Sequence, residues 1–313
     1  MTLTPDLQTY RRTERLMGNQ FVLSVVAPDA ARADRCLDAA IGEIRRIETL
    51  LTTFSETSDA ARINAAAGLR PVPVAPEVYA LIERSIGISR LTQGAFDISY
   101  GALDKRLWNF DRALDALPDR ATARRLVRLI DYRKVRLDPA AGTVFLEEAG
   151  MRIGFGGIGK GYAAERAKSL LQDLGVASGV VNASGDLCAW GCQPDGRPWT
   201  VGIASPGDRS RPLVQLPLRD AAIATSGDYE KFVIIGGRRY SHTIDPRTGY
   251  PVAGIKSVSV VCANAELADA LATPVLVMGV RAGLDLINQM RGVACLLIDE
   301  HDRVFTSANF KIS

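Results

Sequence analysis

Residues 20–27 (QFVLSVVA) alternate apolar and polar side chains, which predicts a strand. Pro28-Asp29 interrupts it. Leu37, Ile41, Ile44 and Leu51 then recur at helical spacing with Arg and Glu between them. That pattern predicts an amphipathic helix of about six turns with Asp29 as its N-cap. A second helix is expected from Pro76, whose ring suits a first helical position, with Val78, Leu81, Ile82 and Ser85 on one face. The charge-rich stretch 104–136 reads as peripheral helix, and 143–147 (TVFLE) as a short strand. After a glycine-rich run at 154–162, Ala163, Ala164, Ala167, Leu170, Leu171 and Leu174 form the apolar face of a third amphipathic helix.

Short strand candidates crowd the second half, at 180–181, 199–204, 213–218, 232–235, 257–262 and 293–298. Helical patterns at 265–273 and 284–290 interrupt them. Partial segregation of helices from short strands predicts an α+β fold, a largely antiparallel mixed sheet with flanking helices, over a doubly wound one. No internal repeat or low-complexity linker divides the chain. Residues 1–15 are read as an N-terminal extension and 16–313 as one unit.

Composition narrows the classes. Of 313 residues, 47% are apolar and 23% charged, which is ordinary globular usage. The net charge is +3, and Lys and Arg are scattered, so no nucleic-acid footprint is visible. Arg124-Arg125 and Arg238-Arg239 read as solvated faces. The five cysteines are odd in number and irregularly spaced, which argues against a disulfide framework and fits a reducing compartment. Cys188 and Cys192 lie four apart without a second Cys/His pair, and His242 and His301 are the two histidines, so a structural zinc is not expected. The first 21 residues carry no apolar core, cleavage site or lipid-modifiable Cys, and no apolar run reaches bilayer length. The chain as given is expected in the cytoplasm, without stable membrane insertion. It would be periplasmic if an export signal has been removed.

Three segments carry candidate chemistry. GFGGIGKGYAAE (154–165) holds five glycines in eight residues and leads into a helix. Glycines let backbone N–H groups approach an anion, and the helix N-terminus and Lys160 add positive charge. Lys160 is followed by Gly161 rather than Ser or Thr, so this is not a P-loop. A tight strand-to-helix turn is the plainer reading. Asp269 and Thr273, four apart, would share one helix face and offer hard oxygen ligands suited to Mg²⁺. The same pair also occurs on solvated helices. His242 precedes a turn built on Asp245-Pro246 and Thr248-Gly249; it is a structural hydrogen-bonding residue or a catalytic base.

Taken together, the segments resemble the ApbE family of FAD:protein FMN transferases. The matching pieces run in order from Met17-Gly18 through Thr53-Phe54-Ser55, Gly94-Ala95-Phe96-Asp97 and the glycine-rich turn at 156–162. They continue with NASGD (182–186), TSGD (225–228), SHTIDPRTG (241–249) and ADALAT (268–273). The resemblance covers roughly residues 16–280. It implies an ApbE-like flavin transferase fold for the 16–313 unit, with FAD as substrate and Mg²⁺ as cofactor. Flavin contacts would fall on Met17, Phe54, Ala95, Phe96, Asp97, Lys160, Thr243 and Ile244, and metal ligands on Gly157 (carbonyl), Asp269 and Thr273. His242 and Lys160 are the expected catalytic residues. The partner would be an acceptor protein presenting a Thr or Ser hydroxyl.

Two positions depart from the family pattern. Gly154 stands where the family carries Asp, so a carboxylate contact to the cofactor is missing or supplied elsewhere. Pro274 stands where Ala is usual, and is expected to end the helix beside the metal site and free the Ala270 carbonyl. Two alternatives stay open. Water as acceptor would give an FAD pyrophosphatase releasing FMN and AMP, and a chain without turnover would be a flavin-binding carrier.

Overall fold

The structure, a computed structural model, describes residues 7–103, 116–204, 212–227 and 232–310. Strand β1 (Gln8–Leu16) pairs antiparallel with β2 (Asn19–Ala27) around Met17-Gly18. Both turn residues adopt positive φ, 51° and 72°, as a two-residue hairpin matched to strand twist requires. Most of the segment read as an N-terminal extension is therefore an edge strand. Its Arg, Thr and Glu side chains hide it from a hydrophobicity scan, and such charges protect an exposed edge. Arg12 ties the strand to Asp34, at 2.6 Å, and to Asp38 on the following helix.

That helix, α1 (Ala30–Leu51), begins where Asp29 accepts the Arg32 N–H at 2.7 Å. It buries Leu37, Ile41, Ile44 and Leu51, the positions its periodicity marks. Next come α2 (Asp59–Ala65), β3 (Val72–Pro73) and α3 (Pro76–Leu91), with Pro76 in the first helical turn. In the charge-rich stretch, residues 104–115 lie outside the described residues. The remainder holds only α4 (Arg120–Leu126) and a 3₁₀ turn, Tyr132–Lys134. Asp119 and Asp131 cap these two short turns, and their side chains break what composition alone reads as continuous helix.

β4 (Val135–Asp138) and β5 (Thr143–Leu146) form a small sheet with β3. Helix α5 (Gly159–Asp173) follows the glycine-rich turn. Then come β6 (Gly179–Ala183), β7 (Asp186–Trp190), β8 (Trp199–Ala204), β9 (Pro212–Leu218), β10 (Ala221–Gly227), β11 (Phe232–Ile235), β12 (Arg238–Ile244), β13 (Pro251–Ala253) and β14 (Ile255–Cys262). Helix α6 (Ala265–Asn288), β15 (Ala294–Asp299) and β16 (Val304–Thr306) complete the described chain.

The main sheet has eight strands in the order β1-β2-β6-β7-β10-β14-β15-β16, and every ladder in it is antiparallel. Outside it, Tyr100 and Arg152 form an isolated parallel bridge. Alternation along the strands feeds two cores. Cys188 and Trp190 face α1 and α5, joining Phe21, Ile44, Ala163 and Leu171. Leu187 and Ala189 face the other way and meet Ile203, Leu216 and Leu218 of the β8–β9 hairpin. β7 is buried along its whole length because both faces are covered, the pattern that reads as a continuous apolar run.

Helix α6 lies on β10 and β14, with Leu271, Val275 and Leu276 against Val258 and Val260. Its length and apolarity match a bilayer span by composition alone, and this packing accounts for them. The expectation for Pro274 is corrected here. The helix runs through Pro274, which is buried, and breaks five residues later at Gly279 (φ 87°, ψ 171°). Proline lacks a donor for the Ala270 carbonyl but keeps helical φ, whereas Gly279 adopts a backbone angle that other residues enter at a cost. A Cβ at Gly283 would stand 2.8 Å from Val275 Cγ1, so the two halves of the helix fold closely on each other.

Candidate functional site

A large cleft lies where the Met17-Gly18 turn, the end of α1, the segments 95–103 and 152–157, the end of β12 and α6 converge. Its volume is about 1130 Å³. That is large for a small-molecule pocket, about 300–1,000 Å³, and suits a dinucleotide.

Met17 occupies its place because the hairpin turn puts it there. Its left-handed backbone is held by Asn19 Nδ2, which donates to the Met17 carbonyl at 2.9 Å. Its side chain lies over the start of α5, where a Cβ on Gly159 would approach Met17 Cε at 3.6 Å. Phe54 stands on the rim, 98% exposed. Ala95, Phe96 and Asp97 follow a turn in which Gln93 and Gly94 are both left-handed and Thr92 Oγ1 accepts the Phe96 N–H at 3.0 Å. The Phe96 ring packs on the glycine turn, 3.4 Å from where a Gly157 Cβ would be. Asp97 is committed to the protein. Oδ1 accepts from the Ser99 N–H and hydroxyl, at 2.8 and 2.6 Å, and Oδ2 from the Tyr132 N–H at 2.9 Å. Burial still outweighs these bonds and raises its carboxyl above the ordinary range.

Lys160 is the second residue of α5 and forms an ion pair with Asp186. Asp186 comes from the NASGD segment, which is a hairpin turn. Ser184 and Gly185 have φ of 58° and 104°, Asn182 Oδ1 accepts the Gly185 N–H at 2.8 Å, and Asp186 opens β7 with its carboxylate buried. The Thr225 N–H donates to Asp186 Oδ1 at 3.3 Å.

Behind the cleft wall lies Asp269, 5% exposed, whose Oδ2 accepts the Gly161 N–H at 2.9 Å. One turn along, Thr273 lines the cleft, and its Oγ1 is 2.9 Å from Ser226 Oγ. Burial lifts Asp269 well above the usual carboxylate range, and the charge of Asp186 adds to the effect. Burial also raises Asp186, against the pull of Lys160. For Lys160 burial acts downward, but Asp186 and Asp269 outweigh it and keep the ammonium protonated. Two buried carboxylates thus lie beside one ammonium, and burial pushes both toward their neutral forms.

β12 brings His242, Thr243 and Ile244 to the cleft from another side. His242 is exposed there, whereas Ile244 is 1% exposed and packs with Leu103 and Leu126. The DPRTG turn behind them is locked by the Gly249 N–H donating to the Asp245 carbonyl at 2.9 Å.

Met17, Phe54, Ala95, Phe96, Asp97, Gly157, Lys160, His242, Thr243, Ile244 and Thr273 therefore meet in one cleft, with Asp269 just behind it. Asp228 of TSGD lies outside the described residues. Asp186 belongs to the NASGD segment singled out in the sequence, but its pairing with Lys160 becomes visible only in the fold. Arg152, which also lines the cleft, carried no sequence signal.

The sequence and the fold have known counterparts. The ApbE family model matches residues 17–297. An FAD:protein FMN transferase of Treponema pallidum (strain Nichols) is 34% identical over 320 residues, 96% of this chain and 88% of that protein. One from Klebsiella pneumoniae (strain 342) is 30% identical over 305 residues, 97% and 93%. The crystal structure of the ApbE protein of Thermotoga maritima superposes with a TM-score of 0.86 at 29% identity, covering 97% of this chain and 98% of that one. The apo flavinyl transferase ApbE of Pseudomonas stutzeri gives 0.85 at 26% identity, covering 98% and 97%. The chain belongs to the ApbE family.

Proposed function

We propose that this protein transfers the FMN half of FAD to a Thr or Ser hydroxyl of an acceptor protein and releases AMP. The observation that carries the reading is the meeting, in one cleft of dinucleotide size, of the glycine turn with Lys160, the Asp269–Thr273 face and His242. In the reaction the acceptor oxygen attacks the phosphorus on the FMN side of the pyrophosphate. The P–O bond to AMP breaks, AMP carries away that oxygen, and the hydroxyl proton passes to a base. His242 is the base, exposed in the cleft where a hydroxyl can reach it. Lys160 holds positive charge beside the phosphates, and Asp186 fixes its position. Met17 and Phe96 flank the α5 end of the cleft and offer apolar contact to the flavin.

The residues fit Mg²⁺. Among the described residues no three His, Cys, Asp or Glu side chains gather as a metal cluster, so a cation here relies on mixed oxygen donors. Asp269, Thr273 and the Gly157 carbonyl would supply these, and a bound cation would offset the burial that raises the Asp269 carboxyl. When bound, Mg²⁺ neutralises pyrophosphate charge as it develops.

Asp269→Ala, with FAD binding and turnover followed separately, tests this assignment. Loss of turnover, matched in the wild type by EDTA and restored by Mg²⁺, is expected. Full turnover in EDTA contradicts it.

A further inference from the structure

The ionisable side chains lining the cleft are unequal in their commitments. Asp97 is saturated by Ser99 and Tyr132, and Lys160 is paired with Asp186. Arg152 is exposed on the cleft wall, and its guanidinium has no hydrogen-bond or ion-pair partner among the described residues. A guanidinium is always charged and presents a planar fork matched to phosphate oxygens.

The backbone that carries it is fixed on every side. Arg152 bridges to Tyr100. The buried Asn64 side chain accepts the Ile153 N–H at 2.7 Å and donates to the Ile153 carbonyl at 3.1 Å. The Gly154 N–H donates to the Ile98 carbonyl at 3.0 Å. Gly101 approaches so closely that a Cβ there would stand 2.7 Å from the Ile153 oxygen. Ile153 is fully buried, so the two flanking residues, Arg152 and Gly154, both face the cleft. The wall beside Arg152 is bare, since a Cβ on Gly154 would find its nearest atom 3.8 Å away, at Gly101 Cα. The same wall leads through Gly156 and Gly157 to Lys160, the second residue of α5, which also lines the cleft. A rigidly seated, uncommitted cation thus stands on the cleft wall beside an open glycine stretch that leads to a second cation.

We propose that Arg152 is a specificity-determining residue of this cleft. Its guanidinium binds phosphate oxygens of the nucleotide substrate, so the cleft selects the dinucleotide over the bare flavin. Gly154 keeps the guanidinium accessible, because a carboxylate at that position would face the cleft beside Arg152 and neutralise it. This inference rests on the FAD reading above and deepens it.

The test is equilibrium binding of FAD and of riboflavin, followed by flavin fluorescence without acceptor protein. Arg152→Gln is expected to weaken FAD binding about tenfold or more, the scale of a lost charge-assisted hydrogen bond. Riboflavin affinity and thermal unfolding should be unchanged, because Arg152 holds no other residue. Arg152→Lys should recover part of the loss. Gly154→Asp should weaken FAD binding while leaving riboflavin alone. An Arg152→Gln protein that binds FAD within twofold of wild type overturns the proposal. So does an equal loss of FAD and riboflavin, or tighter FAD binding in Gly154→Asp. A wild-type protein without affinity for FAD overturns the FAD reading itself, which separates the two failures.

Discussion

The Gly161 N–H donates to Asp269 Oδ2 across 2.9 Å, and this contact sets how closely α5 and α6 approach. A Cβ on Gly161 would fall 2.2 Å from the Ala265 carbonyl oxygen and 2.6 Å from Asp269 Cβ. The same bond aims a buried carboxylate toward the cleft. Gly161→Ala must therefore push the helices apart. Overpacking of this kind costs about 1–3 kcal/mol, and more where backbone is the obstacle. Denaturant unfolding should show a loss of at least about 2 kcal/mol, with FAD turnover falling as Asp269 shifts. A variant with wild-type stability would contradict the close approach.

The Lys160–Asp186 pair predicts an asymmetry between single and double variants. Lys160→Met leaves Asp186 and Asp269 without their shared cation, and breaking a buried pair from one side costs about 3–5 kcal/mol. Because Lys160 is partly exposed, the lower end is expected. Adding Asp186→Asn to Lys160→Met should recover part of that loss in an unfolding experiment. Turnover should stay low in both, because the positive charge beside the phosphates is gone. A double variant no more stable than Lys160→Met would contradict the pairing.

His242→Ala should lower transfer to an acceptor protein by about 10²–10⁴-fold, the usual contribution of a general base. FAD binding should change little, so the loss belongs in kcat. Transfer within threefold of wild type would remove His242 from the reaction.

Acid should weaken the α1–α3 contact at a carboxylate far from the cleft. Arg46 donates to Glu77 at 2.6 and 2.9 Å, and this holds the Glu77 carboxyl below its ordinary 4.5. A depressed folded-state value stabilises the fold above the unfolded value and loses that contribution as pH falls through the folded one. Glu77→Gln should cost less than about 1 kcal/mol at pH 7, because Arg46 is nearly half exposed, and less at about pH 3, below the ordinary carboxylate value. Unfolding of both proteins at the two pH values checks this. An equal difference at both would contradict it.

Much of the fold was legible because burial leaves periodic marks. α1 begins at its Asp29 cap and α3 at Pro76, and α1, α3 and α5 bury most of the positions their apolar spacing marks. β1 was not legible, since an edge strand of Arg, Thr and Glu lacks an apolar face to read. The break in α6 was legible as two helical patterns, but its place was not. Proline keeps a helical φ, so Pro274 passed within the helix, and the interruption fell to Gly279. The cleft is similar. Residues in glycine-rich, hairpin or helical motifs announced themselves, whereas the pairing of Asp186 with Lys160 and the seat of Arg152 beside Tyr100 depend on neighbours distant in sequence.

Transfer to a protein hydroxyl, rather than to water, is the central claim. Intact and peptide mass spectrometry of a candidate acceptor, after incubation with this protein, FAD and Mg²⁺, tests it most directly. The account predicts a mass increase of one FMN phosphoester on a Thr or Ser, with one AMP released for each FMN attached. AMP release at the same rate without acceptor, and no acceptor of altered mass, would contradict it and leave an FAD pyrophosphatase.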